Sequence, residues 1–227
     1  MTPLVLWDVD GTLVDAHGLG TRMYEDVFRS MFGAELPAVA PKAGRTDRAI
    51  IADTLVLAGI PQAPVWVDPF LSALSAYVRA LGDVADTAVL ALPGAAAALT
   101  ALEGRAHQSV LTGNVRPLAE LKLRTAGLGA PLDFDAGAYG DAHEVRAELV
   151  SVARRAAKAA YGTDFDGTAT VLIGDTPLDV AAALATGARV IGVATGSYSP
   201  ADLADAGAHV VLPDLSDAAR VLAAIFG

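Results

Sequence analysis

The sequence predicts an α/β fold, a doubly wound parallel sheet with a Rossmann-like core, into which an α-helical cap is inserted. Short apolar runs without polar alternation recur along the chain, as in strands buried on both faces. They alternate with stretches rich in helix-forming residues, which is the pattern of a doubly wound sheet. Residues 15–86 break this alternation, because their apolar side chains recur at helical spacing and no strand is expected between the helices. We therefore expect a core made of 1–14 and 87–227 and a helical cap, or lid, at 15–86.

The elements follow from these patterns in chain order. Within the cap, apolar residues recur at helical spacing over 23–32, 50–57 and 70–81, which predicts three or four amphipathic helices. The core helices are expected where Ala, Leu, Glu, Lys and Arg predominate: Gly94–Leu102, Pro117–Ala126, Ala142–Ala160 and Leu178–Thr186. The expected strands are Leu4–Trp7, Ser109–Leu111, a weaker run at Phe134–Ala138, Val171–Ile173, Val190–Ala194 and His209–Leu212.

Composition excludes several classes of protein. The chain has 227 residues, 53% of them hydrophobic, and a net charge of −10, so a folded core is expected and intrinsic disorder is not. Without a basic run, an acidic chain is a poor partner for nucleic acid or an anionic membrane. The absence of cysteine excludes disulfides, a thiolate nucleophile and cysteine-ligated zinc. No signal peptide or membrane span is expected, and we expect a cytoplasmic monomer or homodimer.

The first expected strand ends in two carboxylates. Asp8 and Asp10 are two residues apart, so both can face one crevice at the C-terminal edge of the sheet. Such a pair can divide the roles of nucleophile or metal ligand and general acid/base. Gly11 permits a sharp turn that offers an N–H to an anion, with Thr12 beside it. A calcium loop is excluded, because Leu13 occupies the position where that loop requires glycine.

Two later strands also end in polar residues. Thr112, Gly113 and Asn114 can form a small anion site at a strand-to-helix turn, although they also suit an ordinary turn. Asp175 ends another strand, and Asp179, four residues later, can lean back toward it. Mg²⁺ prefers oxygen ligands of this kind, but either aspartate can instead cap the following helix.

In this order, each at the exit of a strand, these segments resemble the motifs of the haloacid dehalogenase superfamily of phosphohydrolases. Residues 8–12 (Asp-Val-Asp-Gly-Thr) are similar to its first motif, Thr112 to its second, and Gly174-Asp175 with Asp179 to its fourth. The stretch from Gly174 to Tyr198 is most similar to the phosphoglycolate phosphatase-like branch with a helical cap. The resemblance spans almost the whole chain.

The resemblance implies a Mg²⁺-dependent phosphatase acting on a small phosphorylated metabolite, either phosphoglycolate-like or a sugar phosphate. By that resemblance Asp8 forms an aspartyl-phosphate, while Asp10 protonates the leaving oxygen and then activates water. The metal would be held by Asp8, the carbonyl of Asp10, Asp175 and, directly or through water, Asp179. The phosphate would be bound by Thr112 together with Gly11, Thr12, Gly113 and Asn114.

The third motif departs from the family pattern. The family places a lysine, often in a Lys-Pro pair, about thirty residues after the second-motif Thr, and this chain has no such pair there. We expect Lys122 to supply the cation beside Asp8, because its long stem could reach back from a helix to the strand ends. A solvent-facing helix lysine is the alternative for Lys122, and Arg146 is the second candidate for the cation.

One further residue is assigned to the cap. Arg45, in the segment Gly44-Arg45-Thr46-Asp47, could reach over the cleft and bind a carboxylate at the non-reacting end of a substrate. The alternative is an exposed arginine, with Thr46 or Asp47 capping the next helix.

The residues disfavour three alternatives to a phosphatase. By the same resemblance, Asp10 argues against a dehalogenase. A β-phosphoglucomutase-type phosphosugar mutase is disfavoured because Gly20 stands where such enzymes carry a histidine, and because Asp179 is present. A catalytically silent regulatory protein is disfavoured because Asp8, Asp10, Thr112 and Asp175 are all intact.

Overall fold

The computed structural model describes residues 2–82 and 89–227. It has a five-stranded parallel sheet in the order β4-β1-β5-β6-β7 with helices around it. Short 3₁₀ turns lie at Ala63–Trp66, Phe134–Ala136 and Gly167–Ala169. The strands and helices are, in chain order, β1 (Leu4–Trp7), β2 (Val14–Asp15), α1 (Leu19–Phe32), α2 (Asp47–Leu57), α3 (Val67–Leu81), β3 (Leu90–Ala91), α4 (Ala95–Ala101), β4 (His107–Val110), α5 (Arg116–Thr125), α6 (Arg146–Tyr161), β5 (Thr170–Gly174), α7 (Pro177–Ala185), β6 (Arg189–Val193), α8 (Pro200–Asp205), β7 (Val210–Leu212) and α9 (Ala218–Phe226).

The central strand explains why the apolar runs lack polar alternation. β1 lies between β4 and β5 and is parallel to both. Its residues Val5 and Trp7 pack into the apolar cluster on one face of the sheet, and Leu4 and Leu6 pack into the cluster on the other face. All four side chains are fully buried, so every position in the strand must be apolar. The predicted fold class, an α/β parallel sheet, is confirmed.

The weak strand predicted at 134–138 is wrong. Residues Phe134–Ala136 form a 3₁₀ turn, which Asp133 caps by accepting a hydrogen bond from the N–H of Asp135 at 3.0 Å. Only Ala138 of this segment forms a parallel bridge, to Leu111. The polar residues at 133 and 135 favour a capped turn over a continuous ladder. Similarly, α6 begins at Arg146 and not at Ala142.

The chain passes between the sheet and helices α1 to α3 through a two-stranded ribbon. β2 and β3 pair antiparallel, with Val14 opposite Ala91 and Asp15 opposite Leu90. The apolar faces of α1 to α3 join the same cluster as one face of the sheet. The expected boundary at Asp86 and Thr87 lies outside the described residues, so the division into core and cap stays a prediction. Among residues 2–82 and 89–227, no helix is both long and apolar enough to cross a membrane.

The start of α2 is docked on the loops that follow β4. Thr46 caps the helix by accepting a hydrogen bond from the N–H of Ala49 at 3.2 Å. The N–H of Asp47 donates to the carbonyl of Gly113 at 2.7 Å, and that of Arg48 to the carbonyl of Gly140 at 3.0 Å. A Cβ at position 113 would lie 1.9 Å from a backbone oxygen of the 44–47 loop. This close approach requires glycine at 113.

The Asp47 carboxylate makes this docking specific. It is buried and accepts hydrogen bonds from the Tyr24 hydroxyl at 2.6 Å and from the Val115 N–H at 2.7 Å. Burial raises the pKa of Asp47 to about 6, against the lowering effect of these two donors. One carboxylate thus joins α1, α2 and the start of α5.

Replacing Asp47 with Ala should destabilise the fold, because the Tyr24 hydroxyl and the Val115 N–H would lose a buried acceptor. Leaving such groups unpaired costs about 1–3 kcal/mol each. We therefore expect the free energy of unfolding to fall by about 2–4 kcal/mol, measured by urea denaturation. Asp68→Ala is the control, because Asp68 pairs with Arg48 at the surface and should cost less than about 1 kcal/mol. Equal losses in the two variants would contradict the role given to Asp47.

Candidate active site

The parallel sheet brings the predicted polar residues to one edge. Asp8 follows β1 directly, and its N–H donates to the carbonyl of Ile173 in β5 at 2.8 Å. Asp175 follows β5, and Thr112 follows the end of β4. Asp8, Thr112 and Asp175 are all buried and line one cavity. The carboxyl ends of neighbouring parallel strands are where such folds place their ligand sites.

Three carboxylates meet at this edge around one guanidinium. Asp8, Asp175 and Asp179 each offer an oxygen within 4.8 Å of the others. Nη2 of the buried Arg146 lies 2.7 Å from Oδ1 of Asp8 and 2.6 Å from Oδ1 of Asp179. One positive charge therefore faces three carboxyl groups, and the arrangement favours either protonation of a carboxyl group or a bound cation.

The pKa values show the effect of this crowding. Burial, followed by the charges of Asp179 and Asp10, raises the pKa of Asp8 to about 7, although Arg146 acts to lower it. Burial and the charges of Asp8 and Asp179 raise the pKa of Asp175 to about 8. Without a cation, both groups are therefore much weaker acids than an ordinary aspartic acid.

Asp175 sits in a close-fitting backbone cradle. Its Oδ1 accepts a hydrogen bond from the Thr12 hydroxyl at 3.2 Å. A Cβ at Gly11 would lie 2.4 Å from Oδ2 of Asp175, and a Cβ at Gly196 would lie 1.8 Å from the same atom. Gly11 also has φ +78, in the left-handed region that favours glycine. The glycine of the first motif thus makes room for the aspartate of the fourth.

Asp179 has both of its oxygens engaged by the protein. Oδ2 accepts from the N–H and the hydroxyl of Thr176 at 3.1 and 2.6 Å, which closes a capping box at the start of α7. Oδ1 faces Arg146. The helix-capping alternative considered for Asp179 therefore holds, and its position beside the cluster holds as well.

Asp10 is held by a different cation. Nζ of Lys122 lies 2.7 Å from both carboxylate oxygens of Asp10 and 2.8 Å from Oδ1 of Asn114. The Asn114 amide nitrogen donates to Oδ2 of Asp10 at 2.7 Å. Burial acts to raise the pKa of Asp10, but Lys122 and Asn114 outweigh it and lower the pKa. The carboxylate form of Asp10 is the one that this arrangement favours.

This geometry corrects the expectation for the third motif. Arg146, and not Lys122, is the cation beside Asp8, and Lys122 is buried beside Asp10. The solvent-facing alternative for Lys122 is also wrong. The reason is that α6 begins with Arg146 at the strand ends, whereas Lys122 lies two turns into α5, on the side that faces Asp10.

The turn after β4 offers a hydrogen-bond donor to an anion and also positions neighbouring side chains. The Thr112 hydroxyl oxygen accepts from the backbone N–H of Asn114 at 3.2 Å and from its side-chain amide at 2.8 Å. Because these bonds use the oxygen as acceptor, the hydroxyl hydrogen remains available to an anion in the cavity. Gly113 lies under the 44–47 loop, and the Asn114 side chain positions Asp10 and Lys122. Only Thr112 of this turn retains a side-chain donor for an anion.

Arg45 lines the cavity but does not offer its guanidinium to it as expected. Nη2 lies 2.6 Å from Oδ2 of Asp53 and 3.2 Å from the carbonyl of Ala49, and Nη1 donates to the carbonyl of Pro41 at 3.1 Å. Asp53 lies two turns along α2, close enough to form an ion pair with Arg45, so the guanidinium is held there and not directed toward a substrate. The guanidinium therefore braces the start of α2.

A cavity of about 450 Å³ lies between the acidic edge of the sheet and helices α1 and α2. Its polar wall carries Asp8, Asp10, Thr112 and Asp175. Lys42 and Tyr24 are among the contributors that were not identified from the sequence. Neither residue lies in a motif. In the sequence, Tyr24 has the spacing of an ordinary residue of an amphipathic helix, and Lys42 lies in an expected loop.

The oxygens of Asp8 and Asp175 fit a hard divalent cation. These ligands are carboxylates, which such ions prefer, and the cluster holds more negative charge than Arg146 balances. Asp179 would support the site through Arg146 and α7, because its own oxygens are already bonded. Gly11 and Gly196 keep the space beside Asp175 free of side chains.

Several known proteins are similar to this chain in sequence or in fold. A protein of Dickeya dadantii (strain 3937) named "Probable phosphatase IndB" is 27% identical over 225 residues, which cover 96% of this chain and 92% of that protein. Among solved structures, a hydrolase from Pseudomonas syringae matches all of both chains with a TM-score of 0.66 and 22% identity. A protein from Bacteroides vulgatus named "Putative beta-phosphoglucomutase" has a TM-score of 0.68 and 19% identity, covering 100% of this chain and 91% of its own. These two structures show the same fold.

The family model for haloacid dehalogenase-like hydrolases matches residues 5–184. This range contains Asp8, Thr112, Arg146 and Asp175, the residues that meet at the edge of the sheet. The chain belongs to the haloacid dehalogenase-like hydrolase family.

Proposed function

We propose that this protein is a Mg²⁺-dependent phosphatase that hydrolyses a small phosphomonoester through an aspartyl-phosphate at Asp8. The observation that carries the proposal is the juxtaposition of Asp8, oriented by Arg146, with Asp10, held by Lys122, in one cavity. Membership of a hydrolase family and the name of the Dickeya dadantii relative support it.

Asp8 is suited to nucleophilic attack. Arg146 fixes one of its oxygens at 2.7 Å, so the other can approach phosphorus in a defined orientation. The new bond joins that oxygen to phosphorus while the bond from phosphorus to the ester oxygen breaks. Mg²⁺, held by Asp8, the carbonyl of Asp10 and Asp175, would offset the repulsion between two anions.

Asp10 handles the proton in both steps. In its acid form it gives a proton to the departing ester oxygen, and in its carboxylate form it takes one from the attacking water. Water then displaces Asp8 and releases inorganic phosphate. Lys122 and Asn114 favour the carboxylate form of Asp10. This is the form needed in the second step, in which Asp10 takes a proton from the attacking water.

The docked cap supports catalysis by limiting the access of water. Arg146 contacts the carbonyl of Gly44 at 3.2 Å as well as Asp8, so the residue that orients the nucleophile also touches the cap loop. We propose that the segment 15–86 acts as a lid over the cavity.

The alternative is a β-phosphoglucomutase-type mutase, because the Bacteroides vulgatus protein of that name has the same fold as this protein. Gly20 lines the cavity, where the mutases carry a histidine by the resemblance given above. Incubation with β-glucose 1-phosphate tests the alternative: a mutase forms glucose 6-phosphate, and a phosphatase forms none.

Asp8→Asn should abolish turnover, because an amide cannot attack phosphorus. We expect kcat for p-nitrophenyl phosphate to fall by on the order of 10⁴-fold or more, with an unchanged circular dichroism spectrum. Asp10→Asn is the matched variant. It should lose steady-state turnover but can still release one equivalent of p-nitrophenol, since this leaving group needs little protonation. Turnover by Asp8→Asn near the wild-type rate would refute Asp8 as the nucleophile.

The two buried cations should differ in their kinetic effects. Arg146→Met should lower kcat by about 10²–10³-fold through loss of charge stabilisation at Asp8, and Arg146→Lys should restore part of it. Lys122→Met should raise the pKa of Asp10, because Lys122 holds it low. The acidic limb of the pH–rate profile should then move to higher pH. An unshifted profile in Lys122→Met would contradict the pairing of Lys122 with Asp10.

Mg²⁺ should stabilise the protein more at high pH than at low pH. The folded metal-free protein holds protons on Asp8 and Asp175 up to about pH 7 and 8, whereas the unfolded chain releases them near pH 4. The stability of the metal-free protein should therefore fall as the pH rises through this window. With Mg²⁺ in place of EDTA, we expect the melting temperature to rise by roughly 5 °C at about pH 8 and by much less at about pH 5.5.

Asp175→Asn is the control for this measurement, because it removes one of the two titrating ligands. Its melting temperature should respond weakly to Mg²⁺ at both pH values. A wild-type response of equal size at both pH values would contradict the assignment of Asp8 and Asp175 as ligands.

A further inference from the structure

The cationic side chains around the cavity differ in whether they are paired with a carboxylate, and this difference bears on the substrate. Within the described part of the chain, four Lys or Arg residues line the cavity, and three of them are paired with carboxylates. The pairs are Arg45 with Asp53, Lys122 with Asp10, and Arg146 with Asp8 and Asp179.

Lys42 is the fourth. Its ammonium donates a hydrogen bond to the hydroxyl of Thr21 in α1, and no carboxylate of the described residues lies within 4.0 Å of it. An ammonium has three donors, so two remain after the bond to Thr21. Partial burial and then the charge of Lys122 lower the pKa of Lys42. Three carboxylates act to raise it: Asp10, Asp47 and Glu25. These neighbours agree with its position at the same cavity as Lys122.

Repulsion from Lys122 acts against the charge of Lys42, and these three carboxylates offset this repulsion without forming an ion pair, because none of them lies within 4.0 Å of the ammonium. An anion placed beside Lys42 would therefore meet an ammonium with free donors, which a paired cation does not offer. The phosphoryl group itself is assigned to Asp8, Arg146 and Thr112 at the edge of the sheet, whereas Lys42 lies in the loop before α2. Lys42 therefore has the position to bind a second anionic group.

The cavity is partly apolar. Leu19, Ile50, Leu92 and Leu118 line it together with the polar residues. A short carbon skeleton that joins two anionic ends would thus meet apolar surface in this cavity as well as the cation Lys42.

We propose that Lys42, with Thr21, binds a carboxylate or other second anionic group of the substrate, so that the protein prefers phosphomonoesters bearing two anionic ends. This inference rests on the proposed phosphatase function and adds the residue that selects the substrate. It assigns to Lys42 the recognition that the sequence suggested for Arg45.

A matched pair of substrates tests the proposal. In 3-phosphoglycerate a carboxylate stands where glycerol 3-phosphate has a hydroxymethyl group, and the two are otherwise alike. We expect the wild type to favour 3-phosphoglycerate in kcat/KM, and Lys42→Gln to reduce that preference by about 10- to 100-fold. The change should lie mainly in KM, because the contact is made equally in the ground state and the transition state.

Two variants control for charge and for structure. Lys42→Arg keeps the charge and should retain most of the preference. Lys158→Gln removes a lysine that pairs with Asp164 at the surface, and it should leave the preference as in the wild type. Equal kcat/KM values for the two substrates in the wild type, or an equal loss on both in Lys42→Gln, would overturn the proposal.

A binding measurement separates this inference from the proposed function. Calorimetry with Asp8→Asn needs no turnover and gives dissociation constants for 3-phosphoglycerate and glycerol 3-phosphate. The ratio of these constants should collapse when Lys42→Gln is added to Asp8→Asn, and an unchanged ratio would overturn the role of Lys42. Absence of phosphate release from every substrate by the folded wild type with Mg²⁺ would instead refute the phosphatase.

Discussion

The placement of three carboxyl groups at one edge of a parallel sheet is the constraint around which the site is organised. Because β1 pairs with β5 in register, Asp8 and Asp175 leave the sheet side by side, and α7 adds Asp179. Like charges held this close in a buried place are costly unless a cation or a proton offsets them. Arg146 offsets only part of the negative charge. The pKa values of Asp8 and Asp175 are raised because burial and the neighbouring carboxylates disfavour their charged forms.

The rest of the cavity distributes positive charge around this edge. The two buried cations pair with different carboxylates: Arg146 with Asp8 and Asp179, and Lys122 with Asp10. As a result the two aspartates of the first motif, only two residues apart, have opposite pKa shifts. Two carboxyl groups whose environments separate their pKa values can take different roles in one reaction.

The sequence predicts the fold and the residues at the strand ends, because both follow from short-range patterns. Buried strands must be apolar throughout, and polar residues placed directly after them must reach the edge of the sheet. The partners of long side chains do not follow in this way. Whether Lys122 meets Asp8 or Asp10 depends on the rotation of α5 about its axis, and whether Arg45 faces a ligand depends on an acid two turns along α2. For the same reason the sequence does not reveal Lys42.

The pairing of Val14 with Ala91 places the outward and the return path of the chain next to each other. An insertion or deletion between these two points leaves both ends where they are, so the register of β1 against β4 and β5 need not change. Segments whose ends lie close together tolerate replacement well. Changes in the helices above the cavity can thus alter its lining while the acidic edge of the sheet stays intact.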